Sequence, residues 1–247
     1  MTVPSVAPRT GHAAEADASE ERLPRHVAII MDGNRRWARS HDVPEAQGHA
    51  AGVEAIRPVV EHAASRGIEV LTIYAFSREN WQRSGHEVRT LIGLLEATIR
   101  DETPSLIKEG VQVRLAGRLD ELPADTRASI EQAILATAGG ERKVLNVAFN
   151  YSSRSEIVDA VRAYVEAGND PAALDEEGIE EHLYTAGMPE PDLLVRTGGD
   201  QRISNFLLWQ AAYAELYFCD VFWPDFGPAE LDAAIAEFSR RARRFGR

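Results

Sequence analysis

The sequence lacks the features that mark disulfide-bonded, secreted or membrane-spanning proteins. It holds one cysteine, Cys219, in 247 residues, which excludes an internal disulfide and a cysteine-rich zinc site. No apolar run approaches the roughly 20 residues that a transmembrane helix needs. The first residues contain no apolar signal core. We therefore expect a cytoplasmic protein, with peripheral membrane association left open.

An excess of positive charge is also missing. The net charge is −12 and the pI is near 5.1, so nucleic acid is not an expected partner. The arginines are nevertheless clustered, at Arg35, Arg36 and Arg39 and again within residues 240–247. Such clusters in an acidic chain are typical either of a site for a local anionic ligand or of a solvated arginine surface.

Several common catalytic and nucleotide-binding motifs are absent. There is no GxxxxGKS or GxxxxGKT phosphate loop, and no GxGxxG follows a predicted strand. There is also no HExxH zinc motif and no GxSxG nucleophile elbow. These absences argue against the usual nucleotide-binding enzymes, zinc proteases and serine hydrolases.

What is present is a regular alternation of apolar runs and helical stretches, after a polar segment over residues 1–22 that we expect to be a disordered tail. The predicted strands are Val27–Met31, Val70–Phe76, Val111–Ala116, Val144–Phe149, Leu193–Val195 and Leu216–Cys219. The predicted helices cover about residues 50–66, 86–109, 122–138, 154–167, 176–185, 204–213 and 228–244. This order predicts a single α/β domain over residues 23–247, with a mostly parallel sheet of about six strands covered by helices on both faces. The alternating run from Val111 favours an edge strand.

Ligands of open α/β sheets bind beyond the carboxyl ends of the strands, and polar residues follow the first strand at that place. Gly33 allows a tight turn, and Arg36 offers a planar donor for phosphate. Asp32 puts a carboxylate in the same region, and an anion and a carboxylate coexist when Mg²⁺ lies between them. The alternative is that Asp32 only caps the next helix.

Two further segments follow the second and fifth predicted strands. Residues 77–83 combine a hydroxyl, an amide, two guanidiniums and an indole, and Asn80 can orient a substrate or relay a proton. The alternative is a polar loop with Trp81 half-buried. Residues 196–204 place two arginines around a Gly-Gly turn, a pattern that can wrap a diphosphate. Glu215, beyond the helix predicted at 204–213, is either a second metal ligand or an ordinary surface carboxylate.

The predicted helix over Val88–Lys108 carries a wide apolar band. Such a band is usually part of the core, and it can also line a slot for a long apolar ligand.

Four stretches of the sequence resemble one known family. They are HVAIIMDGNRRWAR (26–39), Gly48-His49, YAFSRENWQR (74–83) and RTGGDQRISNFLLWQAAYAELYF (196–218). They are similar to the signature regions of cis-prenyltransferases, the undecaprenyl diphosphate synthase family. The resemblance implies a homodimeric α/β fold with an apolar tunnel. It also implies Mg²⁺-dependent joining of isopentenyl diphosphate to an allylic diphosphate, such as farnesyl or geranyl diphosphate, with Z double bonds. The family lacks the DDxxD motifs of the trans-type enzymes, as this sequence does.

The resemblance also implies residue roles. Asp32 would bind Mg²⁺ and promote loss of the allylic diphosphate, Glu215 would complete the metal site, and Asn80 would assist proton loss. The residues implied to hold the allylic diphosphate or its first isoprene unit are Gly33, Asn34, Arg35, Arg36, Trp37 and His49. Those implied to frame the reacting centre are Ser77, Arg78, Glu79, Trp81 and Arg83. Those implied to bind isopentenyl diphosphate are Arg196, Arg202, Ile203 and Ser204. The ending Arg244-Phe245-Gly246 resembles a family motif that reaches toward the partner subunit.

Four residues at three places depart from the family pattern: Glu45 replaces an arginine, Ser84 a proline, and Ser152-Ser153 a Gly-Gly pair. These departures leave product length and primer preference open, although the small Ala75 favours long products. Two alternatives remain, a short-chain or irregular terpene diphosphate synthase on the same fold and a non-catalytic partner subunit.

Overall fold

A computed structural model describes residues 22–241 as one domain built on a six-stranded sheet. The strands are β1 (His26–Ile30), β2 (Val70–Ser77), β3 (Val111–Ala116), β4 (Lys143–Tyr151), β5 (Leu193–Arg196) and β6 (Glu215–Phe218). Their order is β3-β4-β2-β1-β5-β6, and every pairing is parallel. The prediction of an α/β fold is confirmed, and the strand from Val111 lies at an edge as expected.

The helices connect these strands. They are α1 (Asn34–Ser40), α2 (Glu45–Glu54), α3 (Ile56–Ser65), α4 (Gly85–Glu109), α5 (Ala124–Thr137), α6 (Ser153–Glu166), α7 (Glu176–Glu180) and α8 (Pro228–Arg240). Short 3-10 helices cover Arg78–Gln82, Leu119–Glu121, Pro171–Ala173 and Trp223–Asp225. Within residues 22–241, no helix combines the length and the hydropathy that crossing a membrane requires.

The central strand β1 is buried on both faces, because successive side chains of a strand point to opposite sides of the sheet. Val27 and Ile29 pack in the same core cluster as side chains of α3 and α8. Ala28 and Ile30 pack on the other face with Phe206, which belongs to the segment between β5 and β6. Both faces of the sheet are therefore covered, as the near-continuous apolar run predicts.

The long helix α4 begins and ends at recognisable caps. The Ser84 hydroxyl oxygen accepts a hydrogen bond from the Glu87 backbone N–H at 3.2 Å, and Gly110 ends the helix in a left-handed conformation with φ 69°. Ser84 stands where the family resemblance leads one to expect proline. Its hydroxyl gives that departure a local role as the N-cap of the helix.

The helix predicted over residues 204–213 is wrong. The segment consists of turns, and Ser204, Asn205 and Leu207 adopt left-handed backbone conformations with φ of 48°, 60° and 46°. Left-handed residues interrupt a right-handed helix, so the apolar side chains of this segment reach the core from a loop.

Other boundaries also differ from the prediction. The stretch 50–66 contains two helices, α2 and α3, and α2 already begins at Glu45. The helix expected at 176–185 ends at Glu180. The predicted tail up to residue 21, the last residues of the helix predicted at 228–244 and the Arg244-Phe245-Gly246 ending lie outside the described residues.

Candidate active site

The carboxyl ends of β1 and β5 are neighbours in the sheet, since Ile30 pairs with Arg196. This register brings Asp32, two residues beyond β1, to the side chain of Arg196. Arg196 Nη2 donates to Asp32 Oδ2 at 2.8 Å, and Arg36 Nη2 lies 3.1 Å from Asp32 Oδ1. Each oxygen of the carboxylate therefore faces its own guanidinium.

These arginines decide the charge state of Asp32. Its partial burial favours the protonated form, but the hydrogen bond and charge of Arg196, together with Arg36, outweigh that effect and lower the pKa of the carboxyl group. Asp32 is consequently ionised at neutral pH and available as an oxygen ligand.

Close approach of two loops fixes the backbone of Asp32. Its N–H donates to the Thr197 hydroxyl oxygen at 2.9 Å, and that hydroxyl donates to the Asp32 carbonyl at 2.7 Å. Each of the two loops, the one after β1 and the one after β5, requires a glycine. In the first, Gly33 has φ 111°, and a Cβ there would lie 2.8 Å from Phe222. At Gly198, with φ 83°, a Cβ would lie 2.8 Å from Arg36 Nη2.

Arg196 organises the loop that follows β5. Its side chain is almost fully buried, and Nη1 donates to Ser204 Oγ at 2.7 Å and to the Arg202 carbonyl. Nη2 reaches Asp200 at 3.2 Å as well as Asp32. Arg202, by contrast, is 65% exposed and pairs with Asp200 at 2.6 Å. Arg196 thus shapes the loop, while Arg202 presents a guanidinium to solution. Ile203 packs, half-buried, against the core of the second sheet face.

The segment after β2 is held by its own side chains. Asn80 Oδ1 accepts a hydrogen bond from the Ser77 N–H at 3.0 Å, and the Asn80 amide nitrogen has no partner within residues 22–241. Trp81 donates from Nε1 to Asn150 Oδ1 at 2.8 Å and contacts Phe76 edge-on, with ring centroids 5.4 Å apart. The free amide nitrogen of Asn80 is the group that a ligand could engage.

The two arginines of this segment have different partners. Arg78 binds Ser155 at 3.0 Å and Glu121 at 2.9 Å. Arg83 pairs with Glu87 at 2.8 Å, and Glu87 also lies 3.3 Å from His49 Nε2. Burial lowers the pKa of His49 and outweighs the opposing charge of Glu87, so this histidine is mainly neutral at pH 7.

The Glu45 departure is compensated locally. Its two carboxylate oxygens pair with Arg35 at 2.8 Å and with Arg39 at 2.9 Å. Hydrogen bonds from Arg35 and then Arg39 lower the pKa of Glu45, so it remains charged and paired. The carboxylate is therefore not an unpaired negative charge near Asp32, and the guanidinium of Arg35 is engaged in an ion pair with it.

The indole of Trp37, in the same helix α1, donates from Nε1 to Asp225 Oδ1 at 2.8 Å.

Helices α1 and α2 approach each other closely at Asn34. A Cβ on Gly48 would lie 2.3 Å from the Asn34 carbonyl oxygen, and one on Gly52 would lie 2.6 Å from Asn34 Oδ1. Asn34 Oδ1 is buried and has no hydrogen-bond partner in the described part of the chain. A buried acceptor without a partner is costly, which makes it a candidate contact for a ligand.

A cavity of about 500 Å³ opens beside these groups, where it is lined by Met31, Asn34 and His49. Its size is typical of a ligand site. The walls come from α2, α3, α4 and the sheet. The apolar side chains that line it include Ile56, Val60, Ile73, Ala75, Leu91, Leu94, Leu95, Leu106, Leu145, Val147 and Phe149. The apolar band of α4 therefore lines a cavity and also packs against the core cluster around Phe76 and Phe149, so both interpretations that the sequence allows are met.

The structure does not bring Glu215 to Asp32 within one chain, contrary to the expectation of a shared metal site. Glu215 is the first residue of β6 and pairs with Leu193, at the amino ends of the strands, whereas Asp32 lies beyond the carboxyl end of β1. Its carboxylate binds Arg241 at 3.1 Å. Between residues 22 and 241, no three His, Cys, Asp or Glu side chains form a group able to hold a metal ion.

Three residues of this region were missed by the sequence reasoning. Thr197 holds the backbone of Asp32, Glu87 joins Arg83 to His49, and Asn205 contacts the segments after β2 and β4. Glu87 was the one with a local signal, since it lies four residues after Arg83 and in the first turn of α4, where acidic residues are favoured.

Comparison with known proteins agrees with this geometry. Residues 30–246 match the family model described as "Putative undecaprenyl diphosphate synthase". The chain is 48% identical to isoprenyl transferase 2 of Bradyrhizobium diazoefficiens, over 98% of this chain and 96% of that protein.

Two solved structures are also similar. A lavandulyl diphosphate synthase from Lavandula x intermedia, in complex with dimethylallyl diphosphate, has a TM-score of 0.87 and 38% identity, covering 91% of this chain and 99% of that one. A probable undecaprenyl diphosphate synthase from Campylobacter jejuni has a TM-score of 0.78 and 31% identity, covering 92% and 100%. The chain belongs to the undecaprenyl diphosphate synthase family, whose members are prenyl-transferring transferases.

Proposed function

We propose that the protein is a Mg²⁺-dependent cis-prenyltransferase. It condenses isopentenyl diphosphate onto farnesyl or geranyl diphosphate and yields a Z-polyprenyl diphosphate such as undecaprenyl diphosphate. The observation that carries this proposal is a charged rim, Asp32 with Arg36 and Arg196, next to an apolar cavity of about 500 Å³ whose lining includes Met31 and Asn34, close to Asp32 in the chain. An anionic head group and a long hydrocarbon chain need these two environments next to each other.

The residues present fit a magnesium ion held jointly with a diphosphate. Asp32 and Asp200 lie against the same guanidinium nitrogen of Arg196, at 2.8 and 3.2 Å, and the low pKa of Asp32 keeps it ionised. Mg²⁺ is usually held by one or two carboxylates together with phosphate oxygens. When bound, it supplies positive charge that stabilises the diphosphate as this group leaves the allylic carbon.

The chain's own residues account for binding and positioning. In this proposal Arg36 contacts the allylic diphosphate, and Arg202 and Ser204 contact isopentenyl diphosphate. As the allylic C–O bond breaks, the alkene of isopentenyl diphosphate forms the new C–C bond and then loses a proton. The Asn80 amide is assigned to orient that proton toward a diphosphate oxygen. The cavity receives the hydrocarbon, and each buried CH₂ contributes about 0.8 kcal/mol.

We further propose that the protein is a homodimer. Strand β6 is an edge strand, and Tyr213, Leu216 and Leu208 beside it are exposed apolar side chains, with Tyr213 79% exposed. Glu215 lies on this strand, so it could reach a metal ion at Asp32 only from a second copy of the chain. A cytoplasmic location with peripheral membrane contact for product release fits a long apolar product.

A second candidate is a short-chain or irregular terpene diphosphate synthase. It is supported by the similarity to the lavandulyl diphosphate synthase, whose bound dimethylallyl diphosphate is a short substrate. The match to the undecaprenyl diphosphate synthase family model favours the long-chain function. A non-catalytic partner subunit is disfavoured because Asp32, Asn80, Arg196 and Arg202 are all present at the carboxyl edge of the sheet.

Incubating the purified protein with labelled isopentenyl diphosphate, Mg²⁺ and dimethylallyl, geranyl or farnesyl diphosphate tests this proposal. The expected products are Z-polyprenyl diphosphates extended by several isoprene units, formed only with Mg²⁺ and abolished by EDTA. A single short or branched product would favour the second candidate. Absence of product with all three primers would contradict the proposed function.

A further inference from the structure

Asn205 lies where three strand-end segments meet. Its amide nitrogen donates to Glu79 Oε1 at 3.0 Å and to Ser152 Oγ at 2.8 Å. Glu79 belongs to the segment after β2, Ser152 to the segment after β4, and Asn205 itself to the segment after β5. One side chain therefore links three segments at the edge of the sheet that carries the candidate site.

Asn205 also caps helix α6 from outside the helix. The N–H of Ser153 donates to the Asn205 carbonyl at 3.1 Å, and the N–H of Arg154 donates to Asn205 Oδ1 at 3.1 Å. Ser152, at the N-cap position, makes no capping hydrogen bond with its own side chain. In return, the Ser153 hydroxyl oxygen accepts from the Leu208 N–H at 2.9 Å. The loop after β5 therefore caps α6, and the Ser153 hydroxyl of α6 in turn fixes the loop at Leu208.

The orientation of the Asn205 amide follows from its partners. Its oxygen faces an N–H donor, whereas its nitrogen faces a carboxylate oxygen and a hydroxyl oxygen. Turning the amide over would place donor against donor and acceptor against acceptor. All the polar atoms of this side chain are thus used in one arrangement.

The loop around Asn205 needs such contacts to keep its shape. Ser204, Asn205 and Leu207 all adopt left-handed conformations, which residues other than glycine adopt at an energetic cost. Ser204 directly precedes Asn205 and accepts a hydrogen bond from Arg196 at 2.7 Å. A change at Asn205 will therefore displace Ser204 and the neighbouring Arg202.

We propose that Asn205 is a positioning residue that holds the Arg202–Ser204 turn for isopentenyl diphosphate and ties it to the Glu79 segment on the allylic side. This inference rests on the proposed function of that turn. It also gives the Ser152-Ser153 departure a role, since both hydroxyls accept hydrogen bonds from the loop that glycines could not accept.

Two variants distinguish the role of the Asn205 side chain from that of its left-handed backbone conformation. Asn205→Gly keeps the left-handed conformation and removes the amide, and Asn205→Asp keeps the capping oxygen but sets a carboxylate against Glu79. We expect both to raise the KM for isopentenyl diphosphate about tenfold or more, as loss of a hydrogen bond to a charged group does, with kcat changed less than about threefold. The double variant Glu79→Gln with Asn205→Asp restores an amide-to-carboxylate hydrogen bond and should recover most of the loss.

Asp175→Ala is the matched control. It removes the cap of α7, where Asp175 Oδ1 accepts from the Gly178 N–H at 2.9 Å, and none of its hydrogen bonds reaches the Asp32–Arg196 region. It should lower the Tm by an amount similar to Asn205→Gly and leave the KM unchanged. If Asn205→Gly lowers the Tm but leaves the KM at the wild-type value, or if the double variant shows no recovery, the positioning role is refuted.

Binding of inorganic diphosphate separates this inference from the proposed function. Titration calorimetry with Mg²⁺ needs no turnover, so it applies even when the wild type makes no product from any primer. We expect Asn205→Gly to bind inorganic diphosphate about tenfold more weakly than the wild type and than Asp175→Ala. Equal affinities, or no binding by the wild type, would overturn the inference.

Discussion

The charged rim and the apolar cavity lie side by side and are held by different forces. At the rim, directional hydrogen bonds and ion pairs hold the side chains; the guanidinium of Arg196 alone contacts Asp32, Asp200, Ser204 and the Arg202 carbonyl. In the cavity, the exposed lining is mostly apolar and attracts a hydrocarbon chain without fixing its orientation. Substitutions at the rim should therefore change rates and affinities, whereas substitutions in the cavity should change which product is made.

The largest effect is expected at the centre of the rim. Asp32→Ala removes the carboxylate that faces two guanidiniums and would share the metal ion, so kcat should fall by two to three orders of magnitude, about the loss seen when one electrostatic contact is removed from an active site. Steady-state rates with isopentenyl and farnesyl diphosphate measure this. The exposed Asp120→Ala serves as control and should retain activity. Near-normal turnover of Asp32→Ala would contradict the assignment.

A smaller effect is expected at Arg202, which lies exposed beside the charged rim. Arg202 is 65% exposed, and among residues 22–241 its guanidinium pairs with Asp200 alone, so its loss should remove the proposed phosphate contact without collapsing the loop that Arg196 shapes. Arg202→Ala should raise the KM for isopentenyl diphosphate about tenfold and change kcat less. The exposed Arg100→Ala is the control, and an unchanged KM for Arg202→Ala would place the second diphosphate elsewhere.

Substitutions of residues that line the cavity should change the length of the product. Ala75 lines it, and a larger side chain there takes up space that the growing chain would occupy. Ala75→Leu should shorten the products by at least one isoprene unit, while the rate of the first condensation changes little. Ala136→Leu, on an exposed position of α5, should leave the product distribution unaltered. Products of wild-type length from Ala75→Leu would show that the chain grows outside this cavity.

The smallest effect on activity is expected at His26, which begins the central strand β1 and so lies at the amino ends of the strands, away from the candidate site. Burial, opposed by the Pro189 hydrogen bond and Asp192, lowers the pKa of His26 to about 4, from an ordinary value of 6.5. Below pH 6.5 the unfolded chain binds a proton that the folded chain does not. The free energy of unfolding should therefore fall by up to about 3 kcal/mol between pH 6.5 and 4.

Urea unfolding at several pH values measures this contribution. Substituting glutamine at the position, His26→Gln, should remove that part of the pH dependence without altering the KM of either substrate. An identical pH dependence in the variant would mean that another group is responsible.

The sequence predicted the sheet well, because its strands are short apolar runs. It also predicted that Asp32 and Arg196 lie at one edge, since parallel strands share their carboxyl ends. It failed at residues 204–213, where the apolar Phe206 and Leu207 suggest a helix. Left-handed conformations at three residues bring those side chains into the core from a loop, and no spacing rule reveals them.

The departures from the family pattern could be judged only in three dimensions. Glu45 stands where the family pattern has an arginine, and in the structure its carboxylate is paired with Arg35 and Arg39. Glu215 reads as a ligand near the site, but the register of β6 places it at the amino edge of the sheet. The deciding facts are the turn between α1 and α2, which brings two arginines onto Glu45, and the register of β6, and neither is visible as a periodic pattern in the sequence.

The most direct test is a crystal structure with Mg²⁺, isopentenyl diphosphate and an unreactive thio analogue of farnesyl diphosphate. We predict that both diphosphate groups contact the charged rim of Asp32, Arg36 and Arg196 or the adjacent Arg202, and that the farnesyl chain enters the cavity between α3 and α4. Diphosphates bound away from this rim, or a farnesyl chain on any other surface, would contradict the account.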